Sequence, residues 1–415
     1  MKTDVVVIGG GPAGLAAALK AAEKADVMLL ERGEELGGIL PQCIHDGFGN
    51  FIFKKMLTGP EYSQHYIDRI KKSNIKVKTK TTVLEIDADK NIIATNSIDG
   101  IMKIQAERII LAMGCREKTR SQILVPGTRP AGIYTAGTAQ RLINIDGVMP
   151  GEKIVILGSG DVGLIMARRF TLEGAKVEGV YEIMPRPGGL TKNIVQCLDD
   201  YDIPLHLSTT VTNIKGKKRV EGVTVAKVDE SMEPVKETET FIPCDCLILA
   251  VGLIPENELS KQINIIMDEQ TKGAIVNERM ETSVPGIFAC GNVVHVHDLV
   301  DDVTITAEIA GKNAAQHIKE KSEIAEKIQV VAGSNVRYVV PQIINNRNLD
   351  SITLYFRVQT EQKDAFIVVS DKKKQIFEKK ERIVKPPEMI KITLSKKELT
   401  SITNNKLRID VRRRK

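Results

Sequence analysis

The sequence predicts an α/β chain built from two nucleotide-type βαβ regions followed by a small all-β module. Three observations carry that reading. A glycine-rich turn, Gly9–Gly14, follows the apolar run Val5–Ile8. A second, Gly158–Gly163, follows Ile154–Leu157, 149 residues after the first. Beyond residue 325 the helical patterns give way to short apolar runs separated by turn residues.

Taken in order, residues 4–8 read as a buried parallel strand. The first glycine turn follows, then a helix through Leu15–Glu23 and a strand over Asp26–Leu30 that ends at Glu31, a βαβ unit of ordinary size. Residues 59–72 have a helical pattern. Lys76–Lys78 and Val83–Ile86 read as short strands, and Ile92–Thr95 with Met102–Ile104 as a hairpin around Asp99-Gly100. Ile109–Met113 is expected as a separate buried strand closed by Gly114. A turn-rich linker runs through Pro126-Gly127 and Arg129-Pro130. The second βαβ starts at Lys153, with a helix over Val162–Glu173 and a strand over Lys176–Glu182, and Pro185–Gly189 is a loop. Further strands are expected at Val211–Ile214, Val220–Val228, Cys246–Val251 and Ile287–Ala289, and a helix from about Val303 to Ile318. In the tail, Arg337–Val340, Ile352–Val358, Ala365–Val369, Gln375–Phe377, Ile383–Val384 and Met389–Leu394 read as strands.

Composition narrows the class. With 415 residues, 42% hydrophobic and 27% charged, the chain suits a globular protein of two or three domains. No apolar stretch approaches the roughly 20 residues of a membrane span, so no transmembrane segment is expected. The first strand begins by residue 4, which leaves no room for a signal peptide. Six cysteines in no disulfide-framework pattern point to a reducing, cytoplasmic setting. The net charge of +6 is unevenly spread: residues 326–415 carry +11 and the rest −5. The basic tail is read first as a solvated surface and second as a docking face for an acidic partner or anionic membrane surface. Nucleic acid is not expected, because the basic residues are not interleaved with exposed-looking aromatic ones.

Each glycine turn has a physical logic. Gly9 allows the tight turn after the strand, Gly11 lets a diphosphate approach bare backbone, and Gly14 lets the helix pack close to the strand. The helix N-terminus then offers unpaired N–H groups and a positive dipole end to phosphates. Glu31, 22 residues after Gly9, stands where a carboxylate accepts hydrogen bonds from ribose hydroxyls. Gly158, Gly160 and Gly163 repeat the turn, and Glu182 lies 24 residues after Gly158. A carboxylate there repels a 2′-phosphate, so NADH is favoured over NADPH, with Arg186 close enough in sequence to weaken the preference. Two Rossmann-like sites in one chain suggest two dinucleotides held face to face.

Four motifs then carry a resemblance over about residues 1–320 to the two-dinucleotide-binding-domain flavoproteins, the superfamily of the pyridine nucleotide–disulfide oxidoreductases. They are Gly9–Gly14 with Glu31-Arg32; Leu111–Gly114; Gly158–Gly163 with Leu249–Pro255; and Thr282–Asn292. The resemblance implies a FAD domain over residues 1–115 and 270–320, an inserted NAD(P) domain over 145–255, and a C-terminal all-β domain over 326–415. It implies FAD contacts at Gly9, Gly11, Pro12, Ala13, Gly14, Glu31, Arg32, Gly38, Val83, Ala112, Gly114, Gly291 and Asn292. The nicotinamide dinucleotide is expected at Gly158, Gly160, Asp161, Val162, Gly163, Glu182 and Gly252. The last motif ends in Gly291-Asn292 where the family has Gly-Asp; the amide still offers a hydrogen bond to a ribityl hydroxyl.

The family's reactive dithiol is missing from its usual place. After Gly37-Gly38, the two cysteine positions of the CxxxxC pair fall on Leu40 and His45, with Cys43 between them. A dithiol relay needs two sulfurs within bonding reach. Cys43, as a nucleophile or redox sensor, and His45, as a general acid/base, are the catalytic candidates; the alternative is that both only shape the pocket. Cys115 is a weaker candidate, and Cys197, Cys244, Cys246 and Cys290 read as structural. His295-Val296-His297-Asp298 is read as hydrogen-bonded structure, and no metal is expected.

A closer similarity rests on Gln42–Gly49, Gly114–Glu117, Tyr134–Gln140 and Gly291–Asp298. These look like FAD-dependent oxidoreductases associated with glycerol-3-phosphate dehydrogenases, and like subunits of opine, sarcosine and cyanide-forming glycine dehydrogenases. The resemblance implies an enzyme that exchanges hydride with NAD(P)H and electrons with a partner flavoprotein dehydrogenase of the glycerol-3-phosphate or amine type. The alternatives are an NADH oxidase or peroxidase using the single Cys43, and a non-catalytic FAD-binding assembly subunit.

Overall fold

The computed structural model describes residues 1–316, 327–347, 349–372 and 374–413. The first glycine turn lies between β1 (Lys2–Ile8) and α1 (Pro12–Ala21), which leads to β2 (Val27–Leu30), and β3 (Gly100–Leu111) lies on the other side of β1. The second turn lies between β4 (Lys153–Leu157) and α2 (Asp161–Leu172), followed by β5 (Lys176–Tyr181) and β6 (Cys246–Leu249). Then come β7 (Ile287–Ala289) and α3 (Val300–Gln316). The chain divides into two compact units, Met1–Cys115 with Pro255–Lys415, and Arg116–Ile254.

In the first unit the strand order is Lys76–Lys78, β2, β1, β3, Asn91–Asn96, Thr82–Ile86, with β7 also paired to β3. β2, β1, β3 and β7 are parallel, in the registers Val5↔Val27, Val6↔Ile109 and Ile287↔Ile109. Val5, Val6 and Val7 are fully buried, as a strand covered on both faces requires. The alanine-rich α1 lies close to α3: a side chain on Gly311 would strike the Ala17 carbonyl. That backbone-to-backbone contact brings α1 and α3 together behind the glycine turn.

The second unit repeats the layout. Its parallel sheet runs Leu205–His206, β5, β4, β6, Ile133–Thr135. A separate antiparallel sheet of Thr209–Gly216, Val220–Lys227 and Thr240–Ile242 packs on it through Val211, Val223 and Leu247.

The tail, within the first unit, forms a five-stranded and a three-stranded sheet. Phe356, Ile367, Val369, Leu394, Leu407 and Ile409 fill the core between them, all fully buried.

Several expected boundaries change. The hairpin arm Met102–Ile104 and the separate strand Ile109–Met113 are one strand, β3. Its first half pairs antiparallel with Asn91–Asn96 and its second half parallel with β1, so the charged Glu107-Arg108 interrupts the apolar pattern without interrupting the strand. Gln375–Phe377 and Ile383–Val384 likewise belong to one strand, Lys374–Val384. Ile133–Thr135 and the helix Ala136–Asn144 extend the second unit into the segment after the linker, and the strands Ile328–Ala332 and Lys406–Arg413 were not anticipated. The helix expected to reach Ile318 is described from Val300 to Gln316; residues 317 and 318 lie outside the described residues.

Candidate functional site

At the first cradle, Gly9 adopts φ +107°, and a Cβ on it would strike the Ala112 carbonyl. A Cβ on Gly14 would strike the Gly9 carbonyl, so only glycine lets α1 start this close to β1. Leu15 is the first residue of α1 whose N–H is taken up inside the helix, on Gly11 O at 2.9 Å. The N–H groups ahead of it are those a helix leaves for an anion. Gly38, at φ +60°, folds back over the turn, and a Cβ there would lie 2.8 Å from Gly11 Cα.

Glu31 sits at the end of β2 with its carboxylate accepting from Gly10 N at 2.5 Å and Gly33 N at 2.6 Å. A carboxylate has about four acceptor positions, so capacity for two ribose hydroxyls remains. Arg32 reaches Glu256 at 3.4 Å from an exposed position. Val83 lies half-buried in the outer strand Thr82–Ile86, and Ala112 is buried beside Gly9. Gly114 takes φ +72°. Gly291 takes φ +71°, and a Cβ on it would lie 2.7 Å from Ala13 Cβ, so the last motif abuts the start of α1.

Asn292 joins a polar cluster. Its Oδ1 accepts from His297 N at 3.0 Å and lies 3.3 Å from His297 Nδ1, while its Nδ2 donates to Cys115 Sγ at 3.7 Å. The His295 and His297 rings are buried with centroids 4.0 Å apart. Burial pushes His297 down to about 3 and His295 well below its ordinary value, so both rings are neutral. Asp298 and Arg357 form a half-buried ion pair here, and Arg357 also donates to Val296 O and Tyr338 Oη, each at 3.2 Å.

Cys43 and His45 occupy the segment after Gly37-Gly38. Cys43 Sγ donates to Ile39 O at 3.4 Å, and burial pushes its thiol up to about 12, so it is protonated at neutral pH. His45 is half-buried with Nδ1 2.9 Å from Asp46 O and its ring 5.0 Å from that of Phe48. One carboxylate, whose partners the sequence does not reveal, fixes this loop. Asp301, at the start of α3, is buried and accepts from Gly49 N at 3.2 Å, Phe51 N at 3.3 Å and Ile52 N at 2.9 Å. Beside it Lys391 pairs with Asp302 at 2.9 Å and lies over the Phe51 ring. Tyr62 and Thr304 share a buried hydrogen bond of 2.7 Å. Only the acidic residues at a helix start hinted at this cluster; its partners lie about 250 residues away in sequence.

The second cradle repeats the first. Gly158 adopts φ +94°, and a Cβ on it would strike the Ala250 carbonyl; one on Gly163 would lie 2.6 Å from Ala250 Cβ. The first N–H taken up inside α2 is that of Leu164, on Gly160 O at 3.1 Å. Glu182 is buried, and its carboxylate accepts from Ser159 N at 2.9 Å, Ser159 Oγ at 2.6 Å and Met184 N at 2.9 Å. Asp161 accepts from Leu190 N at 2.8 Å and Asn193 Nδ2 at 2.6 Å. Val162 is exposed at the head of α2, and Gly252, at φ +106°, accepts from Lys118 N at 3.0 Å.

Of the remaining thiols, Cys115 is half-buried beside Asn292. None of the six cysteines is in a disulfide, and Cys244, Cys246 and Cys290 are buried with thiols pushed up to about 12. Both cradles fit the ADP half of a dinucleotide: bare backbone where a Cβ would intrude, a helix start with untaken N–H groups, and a carboxylate at the end of the second strand. Among the described residues no helix is long and apolar enough to cross a membrane.

Comparison with known proteins accords with this geometry. A family model described as pyridine nucleotide-disulphide oxidoreductase matches residues 3–317, which leaves the β-sheet tail outside the match. Hydrogen cyanide synthase subunit HcnB of Pseudomonas protegens is 25% identical over 71% of this chain and 66% of its own. NAD(P)H sulfur oxidoreductase (CoA-dependent) of Pyrococcus abyssi is 26% identical over 81% of this chain and 70% of its own. The chain thus spans about two thirds of the length of these relatives. The crystal structure of T. acidophilum thioredoxin reductase shares the fold, with a TM-score of 0.63 and 24% identity over 76% of this chain and 97% of that one.

Proposed function

The chain belongs to the pyridine nucleotide-disulphide oxidoreductase family and is a FAD-dependent NAD(P)H oxidoreductase, and from that premise we propose that it exchanges electrons with a partner flavoprotein dehydrogenase without a dithiol relay. FAD, when bound at the first cradle, supplies the hydride acceptor or donor for the nicotinamide. The observation that carries the reading is the pair of matching cradles in a chain with Leu40 and His45 at the family's dithiol positions.

In this reading the N–H groups at the head of α1 and at Gly38 hold the FAD diphosphate, and Glu31 takes its ribose hydroxyls. Arg32, Val83, Ala112 and Gly114 border the adenosine side, and Gly291 and Asn292 meet the ribityl chain. The head of α2, with Gly158, Gly160, Asp161, Val162 and Gly163, holds the second diphosphate, and Gly252 borders the nicotinamide half. Glu182, with about one acceptor position left beside Ser159 N, Ser159 Oγ and Met184 N, takes a ribose hydroxyl and repels a 2′-phosphate, which makes NADH the preferred donor. A hydrogen on His45 Nδ1 donates to the Asp46 carbonyl and leaves Nε2 to accept or give a proton. Cys43 shapes the pocket, because a thiol protonated at neutral pH is a poor nucleophile.

The name of the HcnB relative, a synthase subunit, supports a partner subunit here; its glycerol-3-phosphate or amine dehydrogenase type rests on the motif resemblance alone. The unbridged cysteines support a cytoplasmic setting. The test is to purify the tagged chain from its native cells and identify what co-elutes. A stoichiometric flavoprotein dehydrogenase that reduces NAD⁺ only when this chain is present supports the reading. A chain that purifies alone and turns over NADH with oxygen or peroxide overturns it.

A further inference from the structure

The two cradles share one more feature. Gly37-Gly38 begins six residues after Glu31, and Gly188-Gly189 begins six residues after Glu182. The hydrogen bonds correspond as well. Each carboxylate accepts from the second residue of its glycine turn, Gly10 N or Ser159 N. Each also accepts from the residue two positions further on, Gly33 N or Met184 N. The first N–H of each glycine pair bonds that same turn residue: Gly37 N to Gly10 O at 2.8 Å, and Gly188 N to Ser159 Oγ at 2.7 Å. One glycine of each pair passes the third residue of its turn: a Cβ on Gly38, the second of its pair, would lie 3.7 Å from Gly11 N, and one on Gly188, the first of its pair, 3.7 Å from Gly160 N.

We propose that Gly188-Gly189 is a strap that closes over the diphosphate of an adenine dinucleotide in the second cradle, so that this ligand is gripped from both sides and exchanges slowly. The inference rests on the reading of that cradle as an NAD(H) site and specifies how the site holds its occupant.

The second strap is tied down more firmly than the first. Where the first turn has Pro12, the second has Asp161, whose Oδ1 accepts from Leu190 N and Asn193 Nδ2 just beyond the glycine pair. The Ser159 hydroxyl adds a link, donating to Glu182 and accepting from Gly188. Gly189 is buried against this latch: a Cβ on it would lie 2.7 Å from Leu164 Cδ1, 2.8 Å from Asp161 Oδ1 and 3.0 Å from Ser159 O. A side chain at 189 therefore displaces Leu164, the Asp161 carboxylate that latches the strap, or the strap itself. Because the strap lies across the mouth of the turn, a diphosphate enters or leaves only when the Asp161 latch opens.

The test uses the full FAD-loaded chain and etheno-ADP-ribose, a fluorescent probe that carries no electrons. Release is followed after a chase with excess NAD⁺, for the wild type, Asn193→Ala and Gly189→Ala. FAD content and circular dichroism report whether each variant is folded. The wild type is expected to release the probe slowly, with an association rate that levels off as probe concentration rises. Asn193→Ala removes a hydrogen bond to a charged group and should speed release by about tenfold to a hundredfold, and Gly189→Ala by at least as much. Equal release rates in all three, with normal binding, overturn the strap and leave the NAD(H) reading intact. Tighter binding by the variants shows a plug and overturns the proposal. No binding to a folded, FAD-loaded wild type overturns the NAD(H) reading and the strap with it.

Discussion

Gly163→Ala isolates the second cradle with a single methyl group. The built Cβ lies 2.6 Å from Ala250 Cβ, 3.2 Å from Gly158 O and 3.5 Å from Ile156 Cγ2, where ordinary contact is 3.4–4 Å. α2 must therefore rise from β4 by about an ångström, which pulls its N–H groups away from the diphosphate. Overpacking of this kind costs about 1–3 kcal/mol, which is roughly a 5- to 150-fold rise in the Kd for NADH if the strain falls on the bound geometry. The assay is equilibrium binding of NADH analogues to the FAD-loaded variant. FAD content serves as an internal control, because the first cradle is untouched. The double variant Gly163→Ala/Ala250→Gly removes the opposing methyl and should recover most of the affinity. An unchanged Kd in the single variant, or equal loss of FAD and NADH, would refute the assignment of this turn to the nicotinamide dinucleotide.

Other expectations follow from the same contacts. Cys43→Ser should keep NADH-driven flavin reduction within about twofold, since the thiol is neutral; stopped-flow loss of that reduction would instead favour thiol catalysis. Burial lowers His297 to about 3, so between that value and its ordinary 6.5 the unfolded chain binds a proton that the folded chain refuses. Stability is thus full above about pH 6.5 and falls as pH drops, by up to ~1.4 kcal/mol per pH unit for this group. Urea denaturation of His297→Gln at pH 7 and pH 5 should show a smaller loss than the wild type, and an identical loss would contradict it. Arg357→Ala takes the cation from the half-buried Asp298, which keeps only its Met389 N–H donor, and should destabilise the first unit by about 1.5–3 kcal/mol, read as a lower urea midpoint and earlier trypsin cleavage of the tail.

Much of the frame is legible in the sequence because it is local. Val5–Ile8 ahead of Gly9–Gly14, and Ile154–Leu157 ahead of Gly158–Gly163, place strand, turn and helix within about 20 residues of one another. Glu31 and Glu182 follow from the length of the next strand. Partners brought together by the fold are less visible. Asp301 holds the amides of Gly49, Phe51 and Ile52, and nothing near either segment signals the pairing. The strand Lys406–Arg413 buries Leu407, Ile409 and Val411 in strict alternation, but its exposed Lys and Arg residues read as a solvated basic tail. The strap reads in the sequence only as a loop at Pro185–Gly189. Its kinship to Gly37-Gly38 shows only when the two sets of hydrogen bonds are laid side by side.

The most direct test of the central claim is an anaerobic titration of the FAD-loaded chain with NADH, followed by the visible absorbance of oxidised flavin. The account predicts that this absorbance falls in proportion to added NADH, that NADPH does so far less efficiently, and that Gly163→Ala needs much more NADH for the same loss. A chain that holds FAD yet keeps its full absorbance under excess NADH and NADPH would contradict it.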